Sequence, residues 1–163
     1  NETMQEQQLR VEWSLRNNRS EILRSGSEEV TVSPLSSLWL EKTDCMDADT
    51  YGDYVSYTCF RGEELSIVEH VLRRFEERVS GGTVIFCAPK HYRFADPGLT
   101  VTVSGDELTV RAQAYARGVE IINEADDMLL EDNYFDMDAG ERKVKILKGS
   151  PDGLKIRSVY NIR

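Results

Sequence analysis

Alternation of apolar and polar side chains is the feature that most limits the fold of this chain. Near its start, apolar residues occupy every second position of one run: Leu9, Val11, Trp13 and Leu15. A period of two is typical of a strand with one buried face. Similar runs follow at intervals of about ten residues, separated by turns. We therefore predict an all-β chain built from antiparallel β-sandwiches and not from a parallel α/β sheet.

The predicted strands fall into two domains, residues 1–88 and 89–163, separated at an extended junction that begins with Pro89. The predicted strands of the first domain occupy residues 9–16, 28–32, 35–42, 54–60 and 83–88. Those of the second occupy residues 99–103, 108–114, 119–122, 128–130, 143–147 and 154–160. Because a full sandwich has seven strands or so, we expect the first domain to be incomplete at its N-terminus.

Residues 66–79 depart from this alternation. Ser66 and Glu69 have the spacing of a helix capping box. Apolar residues then recur at every fourth position: Ile67, Val71, Phe75 and Val79. The segment is predicted to be an amphipathic helix inserted into the first domain, where it covers an open face or edge of the sandwich. Docking of a partner is the alternative role.

Composition argues against several classes of function. A formal net charge of -9 and a pI near 4.8 disfavour a nucleic-acid partner, because binding to a phosphate backbone needs clustered Lys and Arg. No apolar run is long enough to span a bilayer, and no secretory signal pattern opens the chain. We expect no membrane partner and a cytoplasmic location. The cysteines are expected to be reduced, with a disulfide between Cys59 and Cys87 as the alternative.

The sequence contains no recognisable catalytic constellation. Adjacent acidic pairs such as Glu28-Glu29 and Asp126-Asp127 fall on strands or in turns, where their side chains diverge or face solvent. The two histidines, His70 and His91, have no partner at the spacing of zinc ligands. No glycine-rich loop has the pattern that cradles a phosphate. We predict no catalytic residue, metal or cofactor.

One turn in the second domain joins two apolar runs and carries carboxylates, an amide and aromatics: Asp132, Asn133, Tyr134, Phe135 and Asp136. Asp and Asn side chains cap backbone groups in turns. Tyr134 and Phe135 are predicted to enter the end of the sandwich, and Tyr134 is a candidate for its tyrosine corner. A calcium site that also uses Asp138 is the alternative, although the glycine and distal glutamate of the helix-loop-helix calcium pattern are absent.

Trp39 is the candidate surface contact. It lies out of phase with Leu38 and Leu40, so it is predicted on the outer face of its strand. There it contacts either a sugar or a neighbouring domain, and the enrichment of Trp in protein interfaces favours the domain. Trp13 shares a face with apolar neighbours and is predicted to lie in the core.

Three segments resemble the C-terminal immunoglobulin-like domains of β-mannosidase-type enzymes of glycoside hydrolase family 2. The motif DNYFD of residues 132–136, followed by Gly140-Glu141, is similar to a segment before the family's penultimate strand, and LKIRSVYNI is similar to its closing strand. FCAPKHYRF is similar to the junction between the family's last two sandwich domains. Its motif residues are Pro89, Lys90, His91 and Phe94. The resemblance covers residues 83–163, with weaker similarity over residues 13–20 and 32–42.

This resemblance implies two immunoglobulin-like sandwiches that act as non-catalytic, C-terminal accessory domains. The family keeps its catalytic carboxyl pair on a (β/α)8 barrel of roughly 250 residues, which this chain is too short to contain. The implied parent enzyme hydrolyses terminal, non-reducing β-mannosides, or related β-glucosaminides, with retention. The implied partners are that barrel, the other domains of the same polypeptide and an oligosaccharide at a shared active-site rim. A carbohydrate-binding module and a protein-interaction sandwich remain the alternatives.

Overall fold

The chain divides into two compact units. Its structure is a computed structural model that describes the backbone of residues 1–67 and 70–162 and the side chains of residues 1–62 and 77–162. Unit 1 contains Asn1–Leu15, Ile22–Ala48 and Val55–Val84, and unit 2 contains Arg16–Glu21, Asp49–Tyr54 and Ile85–Arg163. Two short segments from the first third of the chain therefore belong to the same unit as its second half.

Unit 1 is built on a four-stranded sheet. Its strands are β1 (Gln7–Asn17), β2 (Ile22–Val32), β3 (Asp53–Ile67) and β4 (His70–Ile85), in the order β2-β1-β3-β4. Trp13 of β1 is half-buried and lies over Gly26 of β2. A Cβ atom added at Gly26 would be 2.8 Å from the indole ring, so the missing side chain of Gly26 leaves the room that Trp13 occupies.

The helix predicted over residues 66–79 is wrong. Ser66 and Ile67 end β3, and residues 70–79 belong to β4, whereas Val68 and Glu69 lie outside the described residues. Positions four apart share one face of a helix, but they also share one face of a strand, where the side-chain direction repeats every two residues. The pairing of β3 with β4 in the sheet selects the strand conformation.

The strand predicted over residues 35–42 is also wrong, because residues 33–52 form turns and irregular backbone. Leu35 has a left-handed backbone conformation with φ of 50°, which interrupts an extended run. Its N–H donates to the carbonyl oxygen of Thr3 at 3.1 Å. Further along, the guanidinium of Arg24 on β2 donates to the carbonyl oxygen of Asp44, which ties the loop to the sheet.

Unit 2 is an antiparallel β-sandwich. Its strands are β5 (Thr100–Ser104), β6 (Glu107–Ala112), β7 (Ala116–Ile122), β8 (Leu129–Leu130), β9 (Phe135–Met137), β10 (Gly140–Lys148) and β11 (Lys155–Arg157). One sheet has the order β5-β6-β10-β8 and the other has the order β11-β7-β9. The predicted hairpin between β5 and β6 is confirmed, with Ser104 opposite Glu107.

Both sheets of unit 2 contribute to its core. Val110 of β6 and Val119 of β7 are fully buried, and Val144 of β10 is 2% exposed. The other buried members are Leu108, Ala112, Ala116, Ile121, Leu130, Phe135 and Met137. The all-β, antiparallel prediction is confirmed. Within the described ranges, the helices are two short 3-10 segments, Pro89–His91 and Val159–Ile162, and neither could cross a membrane.

Candidate functional site

The turn of residues 132–134, which leads into β9, is held to β7 by a side chain that imitates backbone. The Oδ1 atom of Asn133 accepts the N–H of Ile121 at 2.9 Å, and its Nδ2 atom donates to the carbonyl oxygen of Ile121 at 3.0 Å. Two antiparallel bonds between one pair of residues are the pattern of a β-ladder. In β9, Phe135 lies opposite Val119 of β7. Asn133 precedes β9 and continues this pairing with β7.

Phe135 anchors this turn in the core of unit 2. Its side chain is 7% exposed, and the guanidinium carbon of Arg142 lies 4.1 Å from its ring centroid. A guanidinium at this distance from an aromatic ring is attracted by the ring quadrupole. Arg142 also forms an ion pair with Asp132, so one side chain of β10 contacts both ends of the motif.

Asp136 caps backbone within the sandwich. One of its carboxylate oxygens accepts the N–H of Gly118 at 2.8 Å, and the other accepts the hydroxyl of Tyr115 at 3.2 Å. Calcium needs six to eight oxygen ligands, whereas both oxygens of Asp136 already accept bonds from the protein. Among the residues that the structure describes, no group of three or more acidic, His or Cys side chains could hold a metal ion.

Tyr134 does not enter the sandwich, so the prediction of its burial is wrong. Its side chain is 66% exposed, and its backbone is left-handed with φ of 61°. The hydroxyl donates to Oε1 of Glu120 at 2.9 Å, and Glu120 also accepts from Arg157. The left-handed turn at Tyr134 directs its side chain away from the core that Phe135 enters.

A second polar network in unit 2 contains a fully buried tyrosine. The hydroxyl of Tyr54 donates to Oδ1 of Asp138 at 2.7 Å, and the hydroxyl of Ser20 lies 2.9 Å from it. Because the Tyr54 proton points at Asp138, Ser20 is the donor in the second bond. Ser20 in turn accepts the N–H of Ala139 at 2.9 Å, and Arg16 pairs with Asp138 at 3.5 Å.

Burial keeps Tyr54 protonated. Desolvation is the main cause that raises its pKa far above the ordinary value, Asp138 raises it further, and the hydrogen bond from Ser20 opposes the shift. Tyr54 is therefore a permanent hydrogen-bond donor and not an acid or base at neutral pH. The network links residues of unit 2 that lie far apart in the sequence.

Tyr54 also belongs to an aromatic cluster, whose other buried members are Tyr92, Phe94 and Tyr115. The rings of Tyr54 and Tyr115 are stacked with centroids 3.9 Å apart, and Tyr92 packs edge-on to Phe94 at 4.7 Å. The hydroxyl of Tyr92 donates to the carbonyl oxygen of Gly52 at 3.0 Å. Burial raises the pKa of Tyr92 as well, so this hydroxyl also stays protonated.

Of the four junction-motif residues, Phe94 is the one that packs in this aromatic cluster. Pro89, Lys90 and His91 form an exposed 3-10 helix, while Phe94 is 8% exposed. Arg93, next to Phe94, holds the segment by an ion pair with Asp49 and by a backbone bond to Tyr51. The segment is therefore held in place within unit 2 by Phe94 and Arg93, and its Pro-Lys-His part faces solvent.

Sequence reasoning missed the burial and the hydrogen bonds of Ser20, Tyr54 and Tyr115 within unit 2. One local signal was available for Ser20, whose φ of 66° belongs to a tight turn of the kind that follows Asn17-Asn18. Tyr54 and Tyr115 are separated by 61 positions in the sequence, and no local pattern pairs residues over such a distance.

Trp39 is the most exposed aromatic side chain of the described residues, at 93%. It lies in the irregular segment of unit 1 and not on a strand. The Trp39 side chain is exposed, as predicted, but the strand on which it was predicted to lie is not formed. The three cysteines are half-buried free thiols, and burial raises the pKa of the Cys59 thiol.

Both units are built from antiparallel sheets and have no helical layer in the described residues, which defines a class of protein made of consecutive β-domains. Comparison with family models identifies the class more narrowly. The chain belongs to the Mannosidase Ig/CBM-like domain family, whose model matches residues 1–91, more than half of the chain. A second family, an Ig-fold domain of the mannosidase type, matches residues 94–162.

Solved structures give the same fold. A β-D-mannosidase from Dictyoglomus thermophilum superposes with a TM-score of 0.65 over 96% of this chain, at 14% sequence identity. The chain spans 19% of the length of that mannosidase. A comparison with curated proteins found no match. The resemblance drawn from the motifs is therefore confirmed at the level of family and fold.

Proposed function

We propose that this chain forms non-catalytic, C-terminal accessory domains of a β-mannosidase-like glycoside hydrolase. The observation that carries the proposal is the order of the two family matches, residues 1–91 and then residues 94–162. A solved β-D-mannosidase has the same fold over 96% of this chain. Two mannosidase-type domains in succession favour a multidomain glycosidase over an isolated binding module.

In this proposal the two domains stabilise a (β/α)8 barrel of the same polypeptide and contribute to the rim of its active site. The catalytic carboxyl pair belongs to that barrel, at the separation of about 5 Å that retaining hydrolysis requires. The parent enzyme cleaves terminal, non-reducing β-mannosides by double displacement. The polar groups described above support a structural role for this chain, because the carboxylates of Asp136 and Asp138 already bind protein donors.

The first test compares the complete enzyme with a version that lacks residues 1–163. We expect the deletion to lower the melting temperature of the barrel and to reduce turnover of an aryl β-mannoside. The first sugar product of the complete enzyme should be the β-anomer, which proton NMR detects during the reaction. Unchanged melting and turnover after the deletion would contradict the stabilising role, and an α-anomer would contradict retention.

A second test uses the isolated chain as the matched control. It should give no turnover of the aryl β-mannoside above buffer, because a barrel carboxyl pair is required. Hydrolysis by the purified chain that disappears when one of its own carboxylates is mutated would overturn the accessory role.

A carbohydrate-binding module is the second candidate function. The observation that favours it is the exposure of two aromatic side chains, Trp39 at 93% and Tyr134 at 66%. Sugar rings pack on exposed aromatic faces, so either residue offers a surface for a saccharide. The two residues belong to different units, and only Tyr134 has charged hydrogen-bonding partners among its described contacts.

A further inference from the structure

The outer face of the sheet β11-β7-β9 in unit 2 carries a cluster that the core does not explain. Along β7, Val119 and Ile121 are buried at 0% and 2% exposure, so Glu120 between them points to the opposite face. Arg157 of β11 lies directly across from Glu120 in the antiparallel register. Tyr134, just before β9, reaches the same carboxylate with its hydroxyl. Two strands and the turn before a third thus bring three polar or aromatic side chains to one place.

Tyr134 occupies a backbone conformation that a bulky residue rarely adopts. Its φ is 61°, a left-handed conformation that Gly, Asn and Asp adopt more readily than other residues. The conformation is imposed by Asn133, whose Oδ1 accepts the N–H of Tyr134 at 3.1 Å as well as that of Ile121. The Tyr134 ring is 66% exposed, so little buried apolar surface offsets the free-energy cost of this backbone conformation. Such strained positions cluster where a side chain is presented to a ligand.

The polar part of the cluster is electrically balanced and fixed in place. Glu120 accepts from Tyr134 at Oε1 and from Arg157 at Oε2. The bond from Arg157, followed by that from Tyr134, lowers the pKa of Glu120, so the carboxylate is ionised at neutral pH. One carboxylate and one guanidinium leave no net charge, which suits a neutral ligand. The described bond of Arg157 uses Nε, and a guanidinium has four further N–H donors.

We propose that Tyr134, Glu120 and Arg157 form a carbohydrate-contact site on the outer face of unit 2. The exposed ring of Tyr134 packs against the C–H face of a sugar, because the face of an aromatic ring is electron-rich. Arg157 donates to sugar hydroxyls through charge-assisted bonds, while Glu120 holds the Tyr134 hydroxyl and the Arg157 guanidinium in place. The ligand class is a neutral oligosaccharide. The choice of a mannoside as probe rests on the proposed function, whereas the site itself is argued from the three side chains.

The test titrates the isotope-labelled chain with β-linked mannotetraose at millimolar concentration and follows its backbone amides by NMR. We expect shifts concentrated at Glu120, Tyr134 and Arg157. Tyr134→Asn removes the ring and keeps a residue that tolerates the left-handed backbone. It should weaken binding about tenfold, equivalent to about 1.4 kcal/mol. Tyr134→Phe retains the ring and should bind within about threefold of the unmodified chain.

Tyr51→Ala is the matched control, because Tyr51 is also an exposed tyrosine of unit 2, at 51%. It should leave the affinity unchanged. The site is overturned if no amide of this face shifts, if the shifts lie around Trp39, or if Tyr134→Asn binds as well as the unmodified chain. If mannotetraose binds at this face but the complete enzyme is inactive on β-mannosides, the site is supported and the proposed function is contradicted. If the complete enzyme is active but no amide of this face shifts, the proposed function is supported and the site is contradicted.

Discussion

The two units of this chain differ in how they bury their side chains. Unit 2 has two facing sheets, and ten apolar residues form one continuous buried cluster in it. In unit 1, the buried members among the described side chains are Ser14, Leu15 and Val32. A single sheet satisfies its backbone through pairing, but it encloses side chains only where a second layer covers it. The same alternating pattern thus gives a core in unit 2 and, among the described side chains, a largely half-exposed sheet in unit 1.

This difference predicts where substitutions matter. In unit 2, removal of a buried aromatic ring or hydroxyl leaves a cavity or an unpaired polar group, each of which has a large cost. In unit 1, most described side chains already contact water, so their removal changes little. Five measurements test this contrast between the two units. The opposite result in any of them would weaken the contrast.

Within unit 2, the largest effect is expected at Phe135. Phe135→Ala should lower the free energy of unfolding of unit 2 by about 3 kcal/mol, because it removes a buried ring and leaves a cavity. The contact with the Arg142 guanidinium is lost at the same time. Urea denaturation followed by circular dichroism measures this change. Tyr134→Asn, a neighbouring change at an exposed position, is the control and should cost much less. Equal stabilities for Phe135→Ala and the unmodified chain would contradict the core position of this ring.

A smaller loss is expected when the buried hydroxyl of Tyr54 is removed. Tyr54→Phe keeps the stack on Tyr115 but leaves Ser20 and Asp138 without their shared partner, which should cost about 1–3 kcal/mol. Thermal unfolding at neutral pH measures the loss. Tyr51→Phe serves as the control, since its side chain is 51% exposed. If both substitutions had the same small effect, the network would contribute nothing to unit 2.

Asp136 should rank next. Asp136→Ala removes the acceptor for the Gly118 N–H and should cost about 1 kcal/mol, the usual effect of losing a backbone cap. A chelator should leave the melting temperature of the unmodified chain unchanged. A calcium site would reverse the ranking, with Asp136→Ala more damaging than Phe135→Ala and a melt that shifts with chelator.

A weaker, pH-dependent effect is expected from Glu120. Its pKa is lowered in the folded state, first by the bond from Arg157 and then by that from Tyr134. A carboxyl group with a lowered folded pKa stabilises the fold above its unfolded pKa, about 4.3, and this contribution is lost as the pH falls through the folded pKa. Because Arg157 is 54% exposed, solvent screening keeps the effect small. The melting temperatures of the unmodified chain and Glu120→Gln should differ at pH 7 and converge in acid; a constant difference would contradict the assignment.

The sequence predicted unit 2 better than unit 1 for a physical reason. Strands β5, β6 and β10 of one sheet and β7 of the other alternate in sequence, because one face of each sheet lies against the core. The Gly105-Asp106 turn fixes the hairpin between β5 and β6. Residues 66–79 carry a period of four that fits both a helix face and a strand face. Nothing in that segment alone distinguishes the two, and the pairing of β3 with β4 decides in favour of strands.

The candidate sites were predicted only in part, because their partners are remote in sequence. The turn of residues 132–136 could be found from its Asp, Asn and aromatic content, yet the opposite directions of Tyr134 and Phe135 follow from the left-handed backbone at Tyr134. The bond between Tyr54 and Asp138 joins residues 84 positions apart. Such contacts depend on how the strands associate, which local periodicity does not contain.

The smallest effect is expected at Trp39, the strongest contrast with Phe135. Trp39→Ala should change the free energy of unfolding by less than about 0.5 kcal/mol, as is usual for exposed side chains, because its ring is 93% exposed. Leu15→Ala is the internal control of unit 1, since Leu15 is 3% exposed and should cost about 2–5 kcal/mol. Urea denaturation measures both variants beside Phe135→Ala. If Trp39→Ala destabilised the chain as much as Leu15→Ala, the ring would be packed in solution, and unit 1 would be better enclosed than its described side chains indicate. If Leu15→Ala had no effect, the few buried residues of unit 1 would not form a core, and the contrast between the units would be sharper still.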